Sequence, residues 1–242
     1  MIYQEDTQID FYDLDGRGDM KLTALLKHIN RAAGVNAADI GVSLEATAAM
    51  GLAFVLQRFA VRVFKWPVFR QTVTIRTWAA EITKGTFRRN GDMRDGDGNK
   101  IVEWTSLWVL IDIEERKVRR PKALPVTLPA YGLMDVGLEI QKPEVPAGAK
   151  FISSYPHVVR FSELDVNNHM NNAVYADLIA NVMNMGDMAP VPDWHEVHFN
   201  YLAETKLGEE VDVQCRQSEK VLYITGAVES RQVFAAMIKI TK

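Results

Sequence analysis

The side chains best suited to chemistry in this chain are concentrated in residues 165–172. The run contains Asp165, His169 and four asparagines, at positions 167, 168, 171 and 172. Asp and Asn are common in turns and at helix caps, which would explain one or two of these residues but not the whole group. A histidine can act as a general base, and the free N–H groups at the start of a helix can stabilise an oxyanion. The run therefore predicts a catalytic site for acyl transfer.

A second copy of this segment lies 150 residues earlier in the chain. Residues 11–20 align with residues 161–170 without a gap, and Phe, Leu, Asp and Met occupy matching positions. Similar helical patterns follow both segments, which favours a duplication. Opposite His169 the first copy has Asp19, so it has no neutral base at that position. We interpret the first copy as one that has lost its catalytic residues. It would still provide a sheet, a wall of the pocket and a surface for a partner.

Each half of the chain shows one long helical pattern followed by several strand patterns. The helices are predicted at 19–34 and 171–185, the first ending at Gly34 and the second before Gly186 and Pro190. The predicted strands are 52–65, 70–82, 84–95 and 100–113 in the first half, and 152–161, 195–203, 208–218, 220–229 and 231–241 in the second. A helix wrapped by an antiparallel sheet, formed twice, predicts an α+β protein with a double hotdog fold.

The density of proline separates the two halves. Five of the nine prolines lie within residues 121–150. This composition is typical of a linker that runs over the surface. We expect an N-terminal hotdog at 1–125 with a degenerate site, a linker at 126–150 and a C-terminal hotdog at 151–242 with the catalytic residues.

Composition excludes several classes of function. The 28 basic and 31 acidic side chains give a net charge of −3, which argues against nucleic acid as the main partner. The single cysteine, Cys215, excludes an intramolecular disulfide and a cysteine zinc cluster, and its strand pattern predicts a buried position. His195 and His198 face opposite sides of a predicted strand without a further ligand nearby, so we expect no metal. No apolar run reaches the ~18 residues of a membrane span, and the acidic start resembles no targeting signal, so we expect a cytoplasmic protein.

The segment 164–172, followed by Tyr175, closely resembles the signature of the acyl-acyl carrier protein thioesterases. The resemblance extends over nearly the whole chain, at residues 58–63, 66–67, 73–78, 84–85, 88–89, 106–109, 116–121 and 200–204. It implies a double hotdog enzyme that hydrolyses acyl-acyl carrier protein, releases a free fatty acid and ends fatty acid synthesis. It implies no metal and no organic cofactor.

Carried over to this sequence, the resemblance implies catalytic roles for Asp165, Asn167, His169 and Glu204. Without it, Glu204 would be interpreted as a surface acid. We expect Glu204 and His169 to deprotonate a water, Asn167 and helix-start N–H groups to hold the carbonyl oxygen, and Asp165 to orient its neighbours or act on the substrate directly. Trp66 of the first copy lies seven residues before Val73, as Glu204 lies seven residues before Val211, so Trp66 is the counterpart of Glu204 by spacing. The residue after Glu204 is Thr205, so a papain-like cysteine is absent there.

Basic side chains are candidates for docking the carrier protein, because acyl carrier proteins are acidic and their prosthetic arm carries a phosphate. The candidates are Arg88, Arg89, Arg116, Lys117, Arg119 and Arg120. Two alternatives stay open at this point. The enzyme could act on acyl-coenzyme A, or the chain could be a non-hydrolytic hotdog protein, either a hydratase or an acyl-binding module. A homodimer is also possible, although two hotdogs in one chain already form the usual pair.

Overall fold

A computed structural model of the protein describes residues 2–83, 85–128, 136–184 and 193–241. The chain forms two compact units, Met1–Ile140 and Gln141–Lys242. Within the described ranges, no helix combines the length and apolar character needed to cross a bilayer.

The first unit contains a long helix and an antiparallel sheet. Its helices are α1 (Leu22–Asp39) and α2 (Leu44–Ala49), and its strands are β1 (Tyr3–Gln8), β2 (Leu52–Val63), β3 (Thr72–Thr83), β4 (Thr86–Arg94), β5 (Lys100–Asp112) and β6 (Val118–Arg119). The strand order is β1-β3-β4-β5-β2, and β6 pairs with β5. Leu25, Ile29 and Ala32, at helical spacing, are buried on α1, which packs against β3 and β1.

The described residues of the second unit repeat this plan with one α-helix. It contains α3 (Val174–Met183) and the strands β7 (Lys150–Val158), β8 (Trp194–Tyr201), β9 (Glu210–Ser218), β10 (Val221–Val228) and β11 (Arg231–Ile240). All strand pairs are antiparallel, in the order β8-β11-β10-β9-β7. Val211, Val213 and Cys215 alternate along β9 and are fully buried, and α3 packs on β9 and β7.

The nine strands predicted from sequence are confirmed, with ends that differ by a few residues. The first helix does not end at Gly34 but continues to Asp39, because Ala37 packs against a buried apolar cluster that includes Leu52, and this outweighs a cost of about 1 kcal/mol for glycine in a helix. The second helix begins at Val174 rather than at residue 171. Its predicted stops, Gly186 and Pro190, lie outside the described residues. Sequence patterns predicted no bounds for β1, α2 or β6.

The proline-rich segment contributes to the core of the first unit instead of only running over its surface. Leu124 is buried with residues of β2, β4 and β5, and Val136 and Leu138 are buried against Ala60 and Trp78. The side chains of these apolar residues are therefore buried, whereas a linker on the surface would leave them exposed. The boundary between the two compact units falls inside the predicted linker, after Ile140.

Each unit also contains a glycine packed under an aromatic ring of the neighbouring strand. An added Cβ at Gly91 would lie 2.1 Å from the Trp104 ring, and one at Gly226 would lie 2.1 Å from the Phe234 ring. Glycine is needed at both positions because any side chain would overlap the ring.

Candidate functional site

The predicted catalytic run forms a tight turn after a 3-10 helix at Phe161–Glu163. An isolated bridge between Leu164 and Met170 closes the turn. Asp165 Oδ1 accepts hydrogen bonds from the N–H groups of Asn167, at 2.8 Å, and His169, at 3.4 Å. The Asp165 N–H donates to the His169 carbonyl at 2.8 Å. The structure therefore places the Asp165 carboxylate inside the turn, where it fixes the backbone that carries Asn167 and His169.

The turn brings His169 to Glu204, which follows β8. His169 Nε2 lies 3.0 Å from Glu204 Oε2, and the side chains are 20% and 37% exposed. The pair is therefore reachable from solvent while remaining partly shielded. Asn167 is exposed on the same turn. All four predicted catalytic residues thus lie on this turn or on the segment that faces it.

The start of α3 differs from the expectation of free N–H groups. The Ala173 N–H donates to Asn171 Oδ1 at 2.9 Å, and the Val174 N–H donates to the Asn171 carbonyl at 2.9 Å. The Ala176 N–H donates to the Ala173 carbonyl at 3.1 Å. Asn171 therefore forms an Asx turn ahead of the helix, which its residue type favours. These three N–H groups are therefore engaged within the protein, whereas Asn167 lies exposed on the turn.

Thr205 follows Glu204, at the position where a papain-like nucleophile would be a cysteine. Its side chain is fully buried, and Oγ1 lies 2.7 Å from the Tyr175 hydroxyl. The Thr205 carbonyl accepts the Met170 N–H at 2.8 Å. Arg231 Nη1 donates to the Glu204 carbonyl at 2.6 Å. Thr205 therefore anchors this segment and does not present a nucleophile to solvent.

The first copy of the repeat folds into the same turn without the same side chains. Asp15 Oδ1 accepts the N–H groups of Arg17, at 2.8 Å, and Asp19, at 3.1 Å, and a bridge joins Leu14 to Met20. Gly18 and Asn168, which correspond in the repeat, both have positive φ, of 87° and 60°. The two copies therefore share the backbone of the turn but not its side chains. In the first copy, Arg17 forms ion pairs with Asp15 and Asp19, and neither Arg17 nor Asp19 is a neutral base.

Backbone hydrogen bonds also locate the counterpart of Glu204. The N–H groups of residues 64 and 65 share the Ile101 carbonyl, as those of residues 202 and 203 share the Val233 carbonyl. Further along, the Arg70 N–H donates to Ile9, as the Gly208 N–H donates to Val159. Residue 66 therefore corresponds to residue 204. The first copy has Trp66 in place of Glu204, as the spacing to the next strand predicted.

Cys215 and His198 are buried and lie in the strands β9 and β8. Cys215 is fully buried, and desolvation raises the pKa of its thiol to about 11. His198 is also buried, its Nε2 lies 2.7 Å from Glu196 Oε1, and its Nδ1 accepts the Gln141 N–H at 3.1 Å. Among the residues that the structure describes, no cluster of three or more His, Cys, Asp or Glu side chains could hold a metal ion.

The predicted docking residues are not equivalent. Arg89 Nη1 donates to Asn36 Oδ1 at 2.7 Å, and burial lowers the pKa of its guanidinium to about 10. Arg89 is half-buried and its guanidinium is bound to a residue of α1, which does not support docking by Arg89. Arg88 pairs with Glu81 at 3.3 Å. Arg119 pairs with Asp112 at 2.7 Å, whereas the Lys117 side chain is 74% exposed. Arg116 and Arg120 are also exposed.

Models of known families match both halves of the chain. The model of the acyl-ACP thioesterase N-terminal domain matches residues 1–123, and that of the C-terminal domain matches residues 147–240. A dodecanoyl-[acyl-carrier-protein] hydrolase of Cinnamomum camphora is 24% identical over 192 residues, which are 74% of this chain and 50% of that protein. A palmitoyl-acyl carrier protein thioesterase of Arabidopsis thaliana is 23% identical over 200 residues, 78% of this chain and 48% of that protein. The chain spans about half the length of these relatives.

Solved structures show the same fold. An acyl-ACP thioesterase from Bacteroides thetaiotaomicron has a TM-score of 0.80 at 20% identity, covering 98% of this chain and 97% of that one. The 12:0-ACP thioesterase from Umbellularia californica has a TM-score of 0.79 at 19% identity, covering 98% and 96% of the two chains. The predicted double hotdog is therefore confirmed. With family models matched in both halves, this chain belongs to the acyl-ACP thioesterase family.

Proposed function

We propose that this protein hydrolyses the thioester of acyl-acyl carrier protein and releases a free fatty acid. The observation that carries the proposal is the contact of 3.0 Å between His169 Nε2 and Glu204 Oε2. It occurs in the copy of the repeat that matches the family's C-terminal domain, and its counterpart in the first copy is Asp19 with Trp66. A histidine oriented by a carboxylate is the usual arrangement for activating water or a hydroxyl nucleophile.

In the proposed reaction, Glu204 accepts the hydrogen bond of the His169 Nε2–H, which leaves the lone pair on Nδ1 to take a proton from water. The hydroxide attacks the thioester carbonyl carbon, and the Asn167 amide donates to the developing oxyanion. Collapse of the tetrahedral intermediate breaks the C–S bond. The leaving thiolate takes the proton from His169, so water and thioester become a carboxylic acid and a thiol.

We assign Asp165 to the turn and not to the carbonyl carbon. Its Oδ1 atom already accepts the Asn167 N–H at 2.8 Å, and its backbone is tied to His169. The chemistry of the turn thus depends on Asp165 through the positions of Asn167 and His169. General-base assistance by a histidine is typically worth about 10²–10⁴ in rate, which sets the loss expected when the pair is broken.

The test is thiol release from a panel of acyl-acyl carrier proteins, with 12:0, 16:0 and 18:1 chains as named for the relatives. The same acyl chains on coenzyme A and enoyl thioesters run alongside. His169→Ala and Glu204→Gln should each lower kcat by about 10²-fold or more. Asp19→Ala changes the matching position of the first copy and should leave kcat unchanged.

The outcomes separate the alternatives. Hydrolysis of carrier-protein thioesters that is lost in both variants supports the proposal. Hydrolysis of coenzyme A thioesters alone favours the acyl-coenzyme A enzyme. Hydration of enoyl thioesters, or binding without turnover by folded wild-type protein, would favour the non-hydrolytic alternative.

We further propose that the exposed basic residues of the β5–β6 hairpin, Arg116, Lys117 and Arg120, contact the acidic carrier protein. Arg119 supports the hairpin through its ion pair with Asp112. A cytoplasmic location and a homodimer remain proposals based on the sequence. Cell fractionation and light scattering of the purified protein test them.

A further inference from the structure

The chain neighbours of His169 and Glu204 are joined directly. The Met170 N–H donates to the Thr205 carbonyl at 2.8 Å, so one backbone hydrogen bond links the residue after the histidine to the residue after the glutamate. A displacement of Thr205 would therefore change the separation between His169 Nε2 and Glu204 Oε2. Whatever holds Thr205 in place also sets the geometry of the pair.

Thr205 is held by a buried hydroxyl contact. Its Oγ1 lies 2.7 Å from the hydroxyl of Tyr175, on the first turn of α3, and both side chains are buried. The Tyr175 ring packs edge-on against Tyr201 and Phe234, with centroids at 5.6 and 5.0 Å, so β8 and β11 fix its position. Desolvation raises the pKa of Tyr175, which keeps the phenol protonated and able to hydrogen-bond.

The first copy of the repeat lacks both hydroxyl groups. By the same correspondences that pair Asp19 with His169 and Trp66 with Glu204, Leu25 corresponds to Tyr175 and Pro67 to Thr205. Leu25 and Pro67 are also buried, and the first copy forms the same turn. The turn therefore folds without a hydroxyl pair. The pair is present in the copy that carries the histidine and the glutamate.

We propose that Tyr175 and Thr205 are positioning residues, which act on the reaction by holding Glu204 against His169. This inference rests on the proposed function. The Thr205 hydroxyl ties the Glu204 segment to α3, and the Thr205 carbonyl ties it to the turn. Removing the hydroxyl contact should loosen the pair without touching the substrate. Such a loss lowers kcat and leaves KM nearly unchanged.

The test compares Thr205→Val, Thr205→Ser and Tyr175→Phe with wild type. Thr205→Val keeps the shape of the side chain and should lower kcat by about 10- to 100-fold, since small displacements of catalytic groups cost rates of this order. Thr205→Ser should restore most of the activity. Thr225→Val, a threonine of β10 away from the site, is the control and should change kcat by less than about twofold. Circular dichroism and denaturant midpoints establish that each variant is folded.

A second background separates positioning from general stability. In Glu204→Gln protein, Thr205→Val should have less than about a twofold further effect, because the interaction through which it acts is already broken. Equal losses in both backgrounds, or full kcat in folded Thr205→Val protein, would overturn the inference.

A readout without turnover distinguishes failure of this inference from failure of the proposed function. NMR of the histidine ring nitrogens should show a proton fixed on His169 Nε2 in the wild type and a mixture of tautomers in Thr205→Val. If the wild type hydrolyses no thioester, the proposed function fails and the NMR comparison still decides the role of Thr205. Unchanged tautomers in the variant would refute that role.

Discussion

The repeat provides an internal control for the role of Asp165. Asp165 and Asp15 make the same contacts in matching turns, each accepting two backbone N–H groups at Oδ1. We compare Asp165→Ala with Asp15→Ala. The two substitutions remove matching pairs of backbone hydrogen bonds, but only one of them disturbs the turn that carries His169.

The expected loss of stability follows from these contacts. In Asp165→Ala the contact at 2.8 Å is a good hydrogen bond and the one at 3.4 Å is weak, so the free energy of unfolding should fall by about 1 kcal/mol. Asp15→Ala should cost at least as much. It also breaks the ion pair with Arg17, whose exposed position limits its contribution to about 1 kcal/mol or less.

The activities should differ strongly. Asp165→Ala releases the N–H groups of Asn167 and His169, and we expect kcat to fall by about 10²-fold. Asp15→Ala should retain wild-type kcat. Urea denaturation measures the stabilities, and thiol release from an acyl-acyl carrier protein measures the rates. Wild-type kcat in folded Asp165→Ala, or equal losses of kcat in both variants, would refute the reasoning.

Three further predictions concern packing, docking and the support of Glu204. Gly226→Ala should lower the free energy of unfolding by about 1–3 kcal/mol, because its Cβ would lie 2.1 Å from the Phe234 ring, whereas Gly148→Ala meets no atom within 4 Å and should be nearly neutral in the same urea titration. Lys117→Glu should raise KM for acyl-acyl carrier protein several-fold at low salt and leave KM for acyl-coenzyme A unchanged. An unchanged KM for acyl-acyl carrier protein, or an equal rise for both substrates, would count against this docking surface. Arg231→Gln should lower kcat by about three- to tenfold, because its guanidinium donates to the Glu204 carbonyl and to Glu209, and a wild-type rate would show that the Thr205 contacts are sufficient.

The strands were predictable from sequence because their burial alternates, as in Val211, Val213 and Cys215. Strand β1 lacked such a signal, since its YQEDTQ sequence is polar and half of it stays exposed at the sheet edge. The predicted end of α1 was wrong, because the cost of glycine in the helix at Gly34 was smaller than the stabilisation from packing of the following turn. Local signals therefore failed where tertiary contacts decided the outcome.

The same limit applies to the site. The repeat identified the turn and, by spacing, Trp66 as the counterpart of Glu204. The turn-forming role of Asn171 was predictable from its residue type, but the use of the helix-start N–H groups was not. The pairing of Tyr175 with Thr205 joins residues that are 30 positions apart in sequence, and no local pattern indicates it. Arg89 was predicted as a docking residue because the sequence does not indicate which of the adjacent Arg88 and Arg89 faces α1.

The burial of Cys215 has a consequence for an enzyme of the proposed kind. Each turnover would release a thiol next to the protein, and a disulfide formed from that thiol can exchange with a cysteine thiolate to give a mixed disulfide. Exchange needs a reachable thiolate, whereas the sole cysteine of this chain is fully buried and its thiol has a pKa of about 11. In an enzyme of the proposed kind, Cys215 would therefore be protected from mixed-disulfide formation with oxidised forms of the released thiol.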